Sequence, residues 1–173
     1  MRFPGPTHLV VLARYQGPRL TGWIESKLES WLELEINRDK TRVVDLRHKG
    51  ASLDFLGFTF RYDDDLAGRG WRYLNVQPSR KALKKEREKL HEVTNHRQCF
   101  KPIPVLIEEL NRHLKGWRNY FDFGYPRVAF REINTYIRGR LRQHLKRRSQ
   151  RSFRPPEGVS YYQQIERFGL IRL

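Results

Sequence analysis

The sequence predicts an α+β fold in which small antiparallel strands with one helix precede a mainly helical domain. Two observations support this class. Residues 1–76 contain short β-branched and aromatic runs separated by turn-forming residues, whereas residues 77–173 place apolar residues at helical spacing. An apolar content of 38%, with four Trp, eight Tyr and ten Phe, is sufficient for a core. We therefore expect two small domains, divided after residue 76.

The first part begins with a predicted strand and a predicted helix. The strand covers residues 8–15, "HLVVLARY", which follow the turn-forming "PGPT". The helix is expected over residues 17–37, because four apolar residues recur there at helical spacing and Asn37 can end the helix. These apolar residues are Leu20, Ile24, Leu28 and Trp31.

Three further strands are expected in the first part. They cover residues 41–46, 53–60 and 71–76, and the last two are possible partners in a hairpin. The polar loop between these two contains the run Asp63, Asp64 and Asp65. A two-metal site needs carboxylates that converge from separate elements, so a solvated turn is the preferred interpretation and we expect no metal or cofactor.

Three helices and a terminal element are expected after residue 76. The first helix begins with Ser79 as N-cap, the second covers residues 104–123 and the third covers residues 127–148. Their spacing predicts a core made of Leu106, Leu110, Leu114, Trp117, Phe121, Ala129, Ile133, Ile137, Leu141 and Leu145. A loop should follow, and residues 159–173 should pack back as a short terminal element.

The positive charge is concentrated in the second part of the chain. Residues 1–75 contain 12 Lys and Arg against 10 Asp and Glu, whereas residues 76–173 contain 23 against 9. Charges of one sign repel each other in the folded state unless a polyanion neutralises them, and nucleic acid is the expected polyanion. A membrane partner is disfavoured, because neither a long apolar helix nor a lipidation signal occurs.

Cysteine content and the amino-terminal sequence favour a cytoplasmic location. Cys99 is the only cysteine, so a disulfide framework within one chain is excluded, as fits a reducing compartment. The apolar run near the amino terminus lacks the basic flank and cleavage pattern of a signal peptide.

Cations and aromatic residues alternate in the predicted second helix, "LNRHLKGWRNYFDFG". The candidate RNA-binding residues there are Arg112, Lys115 and Arg118. They lie beside Trp117 and Tyr120, a combination that suits RNA, because cations bind its backbone and unpaired bases stack on aromatic rings. A basic solvated face is the alternative. Gly116 costs about 1 kcal/mol relative to Ala in a helix, which a close packing partner or a ligand would explain.

The predicted third helix is dominated by arginine. Three of its arginines are seven and four residues apart and so share a face, while Glu132 is its single acid. Such a one-sign face predicts phosphate binding, although solvation of an exposed helix is the alternative. The candidate residues are Arg131, Arg138, Arg142, Lys146 and Arg147.

Two stretches together resemble a known family. Residues 34–62 contain "LEINRDKTRVVDL" followed by "LDFLGFTF", and residues 110–148 contain "LNRHLKGWRNYF" followed by "FREINTYIRGRLRQHLKRR". They resemble the end of the palm and the maturase-specific region, also called domain X or the thumb, of group II intron reverse transcriptases. The resemblance covers nearly the whole chain. It implies that residues 1–76 are a remnant of the palm and residues 77–173 a maturase-specific RNA-binding domain.

The resemblance also implies roles for individual residues. Lys40 matches the Lys of the family's "KT" turn and is expected to contact phosphate or to be a relic. Gly116, Trp117 and Tyr120 match the maturase helix, whose aromatic residues should lie in the core on at least one side. The four residues that match the palm-end segment are interpreted as structural, with Gly57 allowing close backbone approach. These are Phe55, Leu56, Gly57 and Phe58.

The family's Tyr-Ala-Asp-Asp box has no counterpart in this sequence. The matching positions, residues 5–8, read "GPTH", and the fingers and remaining palm would lie upstream of Met1. A phosphoryl-transfer site without these carboxylates cannot hold two metal ions. The resemblance therefore implies a truncated relative of a mobile-element protein that has no catalytic residues and does not polymerise on its own.

Three functions remain open from the sequence. The first is an RNA-binding maturase-type module that helps a structured group II intron RNA to fold and splice. The second is a fragment of an RNA-directed DNA polymerase that works only with an upstream palm and fingers piece. The third is a general nucleic-acid chaperone or a degenerate relic without function.

Overall fold

A small antiparallel sheet precedes a group of helices in the computed structural model of the chain. The structure describes residues 9–15, 17–65, 68–151 and 153–173. This arrangement confirms the predicted α+β class with a mainly helical second part. Within the described ranges, every helix is too short or too polar to cross a membrane. The predicted replacement of the acidic box at residues 5–8 lies outside the described residues.

The amino-terminal helix is shorter than its sequence pattern predicts. Helix α1 spans Pro18–Ser26 and continues as a π-helical turn at Lys27–Trp31. Neither part buries a residue, and Glu33 then adopts a left-handed backbone with φ of 51°. The predicted end at Asn37 is therefore wrong. Most helical stability in proteins comes from packing an apolar face, and α1 packs too little of its face to extend further.

Two of the predicted strands do not form. The described residues 9–15 and the predicted strand at 41–46 pair with no strand of the described chain. A strand depends on a neighbour that accepts and donates its ladder hydrogen bonds, and apolar composition alone does not supply that neighbour. The turn before the second segment is ordered instead by Asn37, whose carbonyl accepts the Thr41 hydroxyl at 2.8 Å.

The predicted strand over residues 53–60 is divided into a hairpin. Strand β1 (Ser52–Phe55) pairs antiparallel with strand β2 (Phe58–Asp64) across the turn at Leu56 and Gly57. Both turn residues have positive φ, 47° and 82°, as the tightest hairpin turns require. The single-strand prediction is therefore wrong because the turn lies within the apolar run.

The predicted pairing of residues 53–60 with residues 71–76 is confirmed for the part of the first segment that forms β2. Strand β3 (Arg72–Pro78) pairs antiparallel with β2, with Phe60 opposite Val76. Asp63 and Asp64 belong to strand β2, so only Asp65 of the three consecutive aspartates lies beyond the strand. Each carboxylate is near an arginine: Asp63 is 2.9 Å from Arg61 and Asp64 is 3.6 Å from Arg72. The described part of the chain contains no group of three or more residues placed to hold a metal ion.

Helix α2 (Arg80–Val93) begins where the sequence predicts. The Ser79 side chain accepts a hydrogen bond from the Ala82 N–H at 3.1 Å and so caps the helix. Helices α3 (Ile103–Phe121) and α4 (Arg127–Arg147) lie within two residues of their predicted bounds. The predicted apolar residues are buried, except that Trp117 is half-buried, and all but Phe121 and Ala129 lie in or against one core cluster.

The carboxy-terminal residues pack back onto this core as predicted. Helix α5 (Tyr161–Arg167) is capped by Ser160 and places Ile165 in the core. The segment after it, residues 168–173, packs Leu170, Ile171 and Leu173 against the same core. We call residues 168–173 the carboxy-terminal segment.

Aromatic contacts attach the sheet to the helices. The Phe58 ring packs 4.9 Å from the Phe121 ring and stacks 5.6 Å from the Tyr120 ring, measured between centroids. The Tyr120 hydroxyl also donates to the Leu56 carbonyl at 2.8 Å. A Cβ on Gly57 would lie 3.3 Å from Cζ of Phe121, which explains why glycine suits this approach. The structural interpretation of Gly57 and Phe58 is thus confirmed.

Candidate nucleic-acid interface

An exposed row of cations follows one side of α4. Arg131 and Arg142 are about three helical turns apart and so point in the same direction, and Lys146 lies one turn further. All three side chains are exposed and form no salt bridge within the described ranges. Apolar residues occupy the opposite side of α4 and fix its orientation, so this row must face outward.

Helix α5 lies beside the carboxy-terminal half of this row. The Arg138 guanidinium binds the Glu166 carboxylate at 2.6 Å and is mostly buried. Arg142 and Lys146 sit 5.4 Å and 5.7 Å from the centre of the Tyr161 ring, within cation–π range. Arg138 is thus neutralised within the chain, whereas the other two cations are held by an aromatic ring and keep their charge available.

The cations predicted on α3 differ in their partners. Arg112 is 3.4 Å from Glu108, with both side chains highly exposed. Lys115 and Arg118 are exposed and have no acidic partner among the described residues. An exposed ion pair contributes little and is easily exchanged for another anion, so all three can reach a ligand from solvent.

The aromatic residues of α3 serve packing. The Trp117 ring lies 4.8 Å from the Phe121 ring and 5.7 Å from the Phe130 ring. The Tyr120 ring is stacked on Phe58, as described above. Trp117 packs against the helical core on one side, as predicted, whereas Tyr120 is 55% exposed and contacts the sheet instead of this core. Only the parts of these two rings that stay exposed to solvent could contact an RNA base.

Gly116 has no packing partner in the described structure. A Cβ built at this position would have no heavy atom within 4 Å outside the local helix backbone, and the residue is exposed. Packing within the described structure therefore does not explain why this position is a glycine. The other explanation, a ligand that approaches the helix backbone at Gly116, stays a prediction.

Lys40 is separated from the helical cations along the chain. It is exposed in the turn ordered by Asn37, whose side-chain oxygen accepts the Lys40 N–H at 3.1 Å. No hydrogen bond or salt bridge of the described ranges joins Lys40 to α3 or α4.

Most carboxylates of the helical part already have a basic side chain as a neighbour. The acids in such pairs are Glu86, Glu88, Glu92, Glu108, Glu109, Glu132 and Glu166. Because the same region has 23 Lys and Arg against 9 acids, many cations are left without an internal counter-ion. This excess gives the helical part a positive field at its surface.

The sequence did not reveal a groove between α2 and α4. The groove has a volume of about 460 Å³ and contains one of the predicted cations. Its lining residues are Arg87, Val128, Arg131, Glu132, Thr135 and Tyr136. A usable signal was that Thr135 and Tyr136 lie seven and eight residues after Val128, outside the core stripe of α4.

Part of the helical region matches a known domain family in sequence. Residues 83–157 match the family model of the group II intron, maturase-specific domain. The match begins within α2, includes α3 and α4, and confirms the predicted maturase-specific region over these residues. It supports a group II intron maturase-related role. A comparison with curated proteins returned no match.

Proposed function

We propose that the chain is an RNA-binding maturase-type module that assists the folding and splicing of a group II intron RNA, without polymerase activity on its own. The observation that carries the proposal is the exposed cations of α3 and α4 inside the region that matches a maturase-specific domain. The residues proposed to contact phosphate are Arg112, Lys115, Arg118, Arg131, Arg142, Lys146 and Arg147, with Lys40 as a separate contact.

The physical role of these cations is to neutralise phosphates. Folded RNA brings strands of negative charge close together, and this approach is unfavourable without cations between them. Lys and Arg side chains that bind phosphates also release condensed counterions, which favours binding at low salt. A rigid basic surface can thus stabilise a compact RNA fold while it contributes no catalytic group.

Salt titration tests this role. The affinity for the intron RNA should fall with a slope of roughly 0.7–0.9 log units per log unit of salt for each phosphate neutralised. Random RNA of equal length, measured at matched salt, is the control for sequence-independent binding. An affinity for intron RNA that does not change with salt would contradict the proposal, and equal affinity for random RNA would favour a general chaperone.

Single substitutions should separate the contacts. Arg131→Ala and Arg142→Ala should each weaken binding and reduce the salt slope by about 1. Lys84→Ala is the matched control, because Lys84 is exposed on α2 and lies beside Glu88, at 3.9 Å. Arg138→Ala should have the smaller effect on RNA, since Glu166 already binds its guanidinium.

Reversal of three α4 charges is the strongest test of location. A variant with Glu at positions 131, 138 and 142 should lose recovery of RNA in a pull-down followed by sequencing. Circular dichroism of the same variant checks that the helices remain. Unchanged recovery from a folded variant would move the binding site to the first part of the chain, where Lys40 lies.

A second candidate function is a fragment of an RNA-directed DNA polymerase that needs an upstream palm and fingers piece. The supporting observation is that α1 buries none of its residues, while Trp23 and Trp31 are 61% and 75% exposed. Apolar surface of this kind is typical of a segment that packs on another polypeptide. Metal-dependent primer extension by the purified chain alone would contradict the first proposal, and extension only with an added upstream piece would favour the second.

A further inference from the structure

The groove between α2 and α4 has an apolar floor and a charged rim. The half-buried Tyr136 ring and Val128, which is 68% exposed, form the floor. The Arg87 guanidinium binds the Glu132 carboxylate and so connects the two helices across the rim. The groove is a shallow, open depression rather than an enclosed cavity, and one residue of α2 and five residues of α4 line it.

The rim leaves one cation available. Arg131 is exposed and forms no salt bridge within the described ranges, whereas Arg87 is engaged by Glu132. The Thr135 hydroxyl donates to the Arg131 carbonyl at 2.9 Å, so its hydrogen is already used. An occupant that fits this arrangement combines a flat apolar part for the floor with a negative group for Arg131.

We propose that the groove receives one unpaired RNA nucleotide, with its base against Tyr136 and Val128 and its phosphate on Arg131. The proposal rests on the proposed RNA-binding function and adds the class of RNA that this face selects. Base faces are accessible in single-stranded loops and bulges but hidden in a duplex. The helical part, with 23 Lys and Arg against 9 acids, favours a polyanion over an apolar peptide as the occupant.

The test compares two RNA octamers with the same number of phosphates. One is a fluorescein-labelled single strand of mixed sequence, and the other has abasic riboses at its central positions. Stacking of one base should make the complete octamer bind about 5- to 100-fold more tightly at matched salt. Equal affinity for the two octamers would overturn the groove proposal alone, whereas no binding of either RNA would also contradict the proposed function.

Substitutions at the floor locate the effect. Tyr136→Leu preserves apolar bulk but removes the ring, so it should abolish the preference for the complete octamer. Tyr136→Phe preserves the ring and should retain the preference, which also controls for folding. A preference that survives Tyr136→Leu in a folded protein would place the stacked base elsewhere and overturn the proposal.

A charge placed in the groove gives an independent measurement. Val128→Glu should reduce binding of the complete octamer more than binding of the abasic one, because it blocks the floor. Val105→Glu is the matched control, since Val105 is also an exposed valine in the first turn of a helix. Equal losses in the two valine variants would mean that only added charge matters, and would contradict a base in this groove.

Discussion

The side chain of Asn134 forms two hydrogen bonds with the backbone of Leu173, donating to its carbonyl at 3.2 Å and accepting from its N–H at 3.1 Å. Asn111 on α3 acts in the same way, donating to the Gly169 carbonyl at 2.8 Å and accepting from the Ile171 N–H at 2.9 Å. Two helices thus hold the carboxy-terminal segment through side-chain amides. These contacts keep its apolar side chains on the core and satisfy backbone groups that no regular element pairs.

Removal of the Asn134 amide should destabilise the fold. Asn134 is only 8% exposed, so Asn134→Ala leaves backbone groups of Leu173 without their partner. We expect a loss of about 1–3 kcal/mol in the free energy of unfolding, measured by urea denaturation followed by circular dichroism. Asn119→Ala on the exposed face of α3 is the control and should change stability by less than about 0.5 kcal/mol. Equal stability of the two variants would contradict a role for the Asn134–Leu173 pair.

Two glycines should respond to alanine in opposite directions. Gly116 is helical with open space around it, so Gly116→Ala should raise the free energy of unfolding by about 0.5–1 kcal/mol. Gly124 has φ of 81°, and a Cβ there would collide with the Val76 carbonyl and lie 2.8 Å from the Val76 Cβ. Gly124→Ala should therefore lower the melting temperature, while Gly116→Ala raises it. A decrease for both variants would show that Gly116 is needed within the fold.

The buried His144 should make stability depend on pH. Burial lowers the pKa of His144 below its ordinary value of 6.5, and the charged Arg148 and Arg140 lower it further, against the hydrogen bond with the Thr94 carbonyl. Below about pH 6.5, the unfolded chain therefore binds a proton at His144 more readily than the folded chain does. The free energy of unfolding should be constant above this pH and should fall below it, by at most about 1.4 kcal/mol per pH unit.

The variant His144→Gln isolates this effect. A glutamine can still donate to the Thr94 carbonyl but does not titrate, so the fall in stability between pH 7.5 and 5.5 should become smaller. Other histidines are common to both proteins and cancel in the comparison. If the two proteins lose the same stability over this range, His144 does not cause the pH dependence.

Local signals explain which parts of the fold the sequence predicts well. Ser79 caps α2, and the four-residue spacing from Ala129 to Leu145 fixes α4, because both signals act within one helix. The amino-terminal strands and the length of α1 depend on a partner for their apolar residues, which local spacing does not contain. The turn at Leu56 and Gly57 was missed because leucine rarely adopts a positive φ.

In the candidate site, too, features set within one helix were predictable from the sequence, whereas contacts between elements were not. The outward direction of Arg131 and Arg142 follows from the periodicity of α4 and was predictable. The neutralisation of Arg138 by Glu166 joins residues 28 positions apart, and the Tyr120 hydroxyl reaches Leu56 over 64 positions. Such pairings depend on how the helices and sheet pack, so spacing along the chain could not separate available cations from engaged ones.

The pair of Glu86 on α2 and His113 on α3 should stabilise the helical core. Glu86 is only 4% exposed, and His113 Nε2 lies within 3.0 Å and 2.9 Å of its two carboxylate oxygens. His113→Ala would leave a buried carboxylate without this partner, and such groups are expensive to desolvate. We expect a loss of about 1–3 kcal/mol in the free energy of unfolding at pH 7 by urea denaturation.

A double-mutant cycle separates this pair from loss of side-chain bulk. The cycle compares Glu86→Leu, His113→Leu and the double variant, and the double variant should be more stable than His113→Leu alone, because no unpaired carboxylate remains. His91→Ala is the matched control, since His91 is an exposed histidine of α2, and it should change stability by less than about 0.5 kcal/mol. If His113→Ala proves as stable as His91→Ala, the carboxylate of Glu86 is solvated without His113 and the two side chains do not act as a pair.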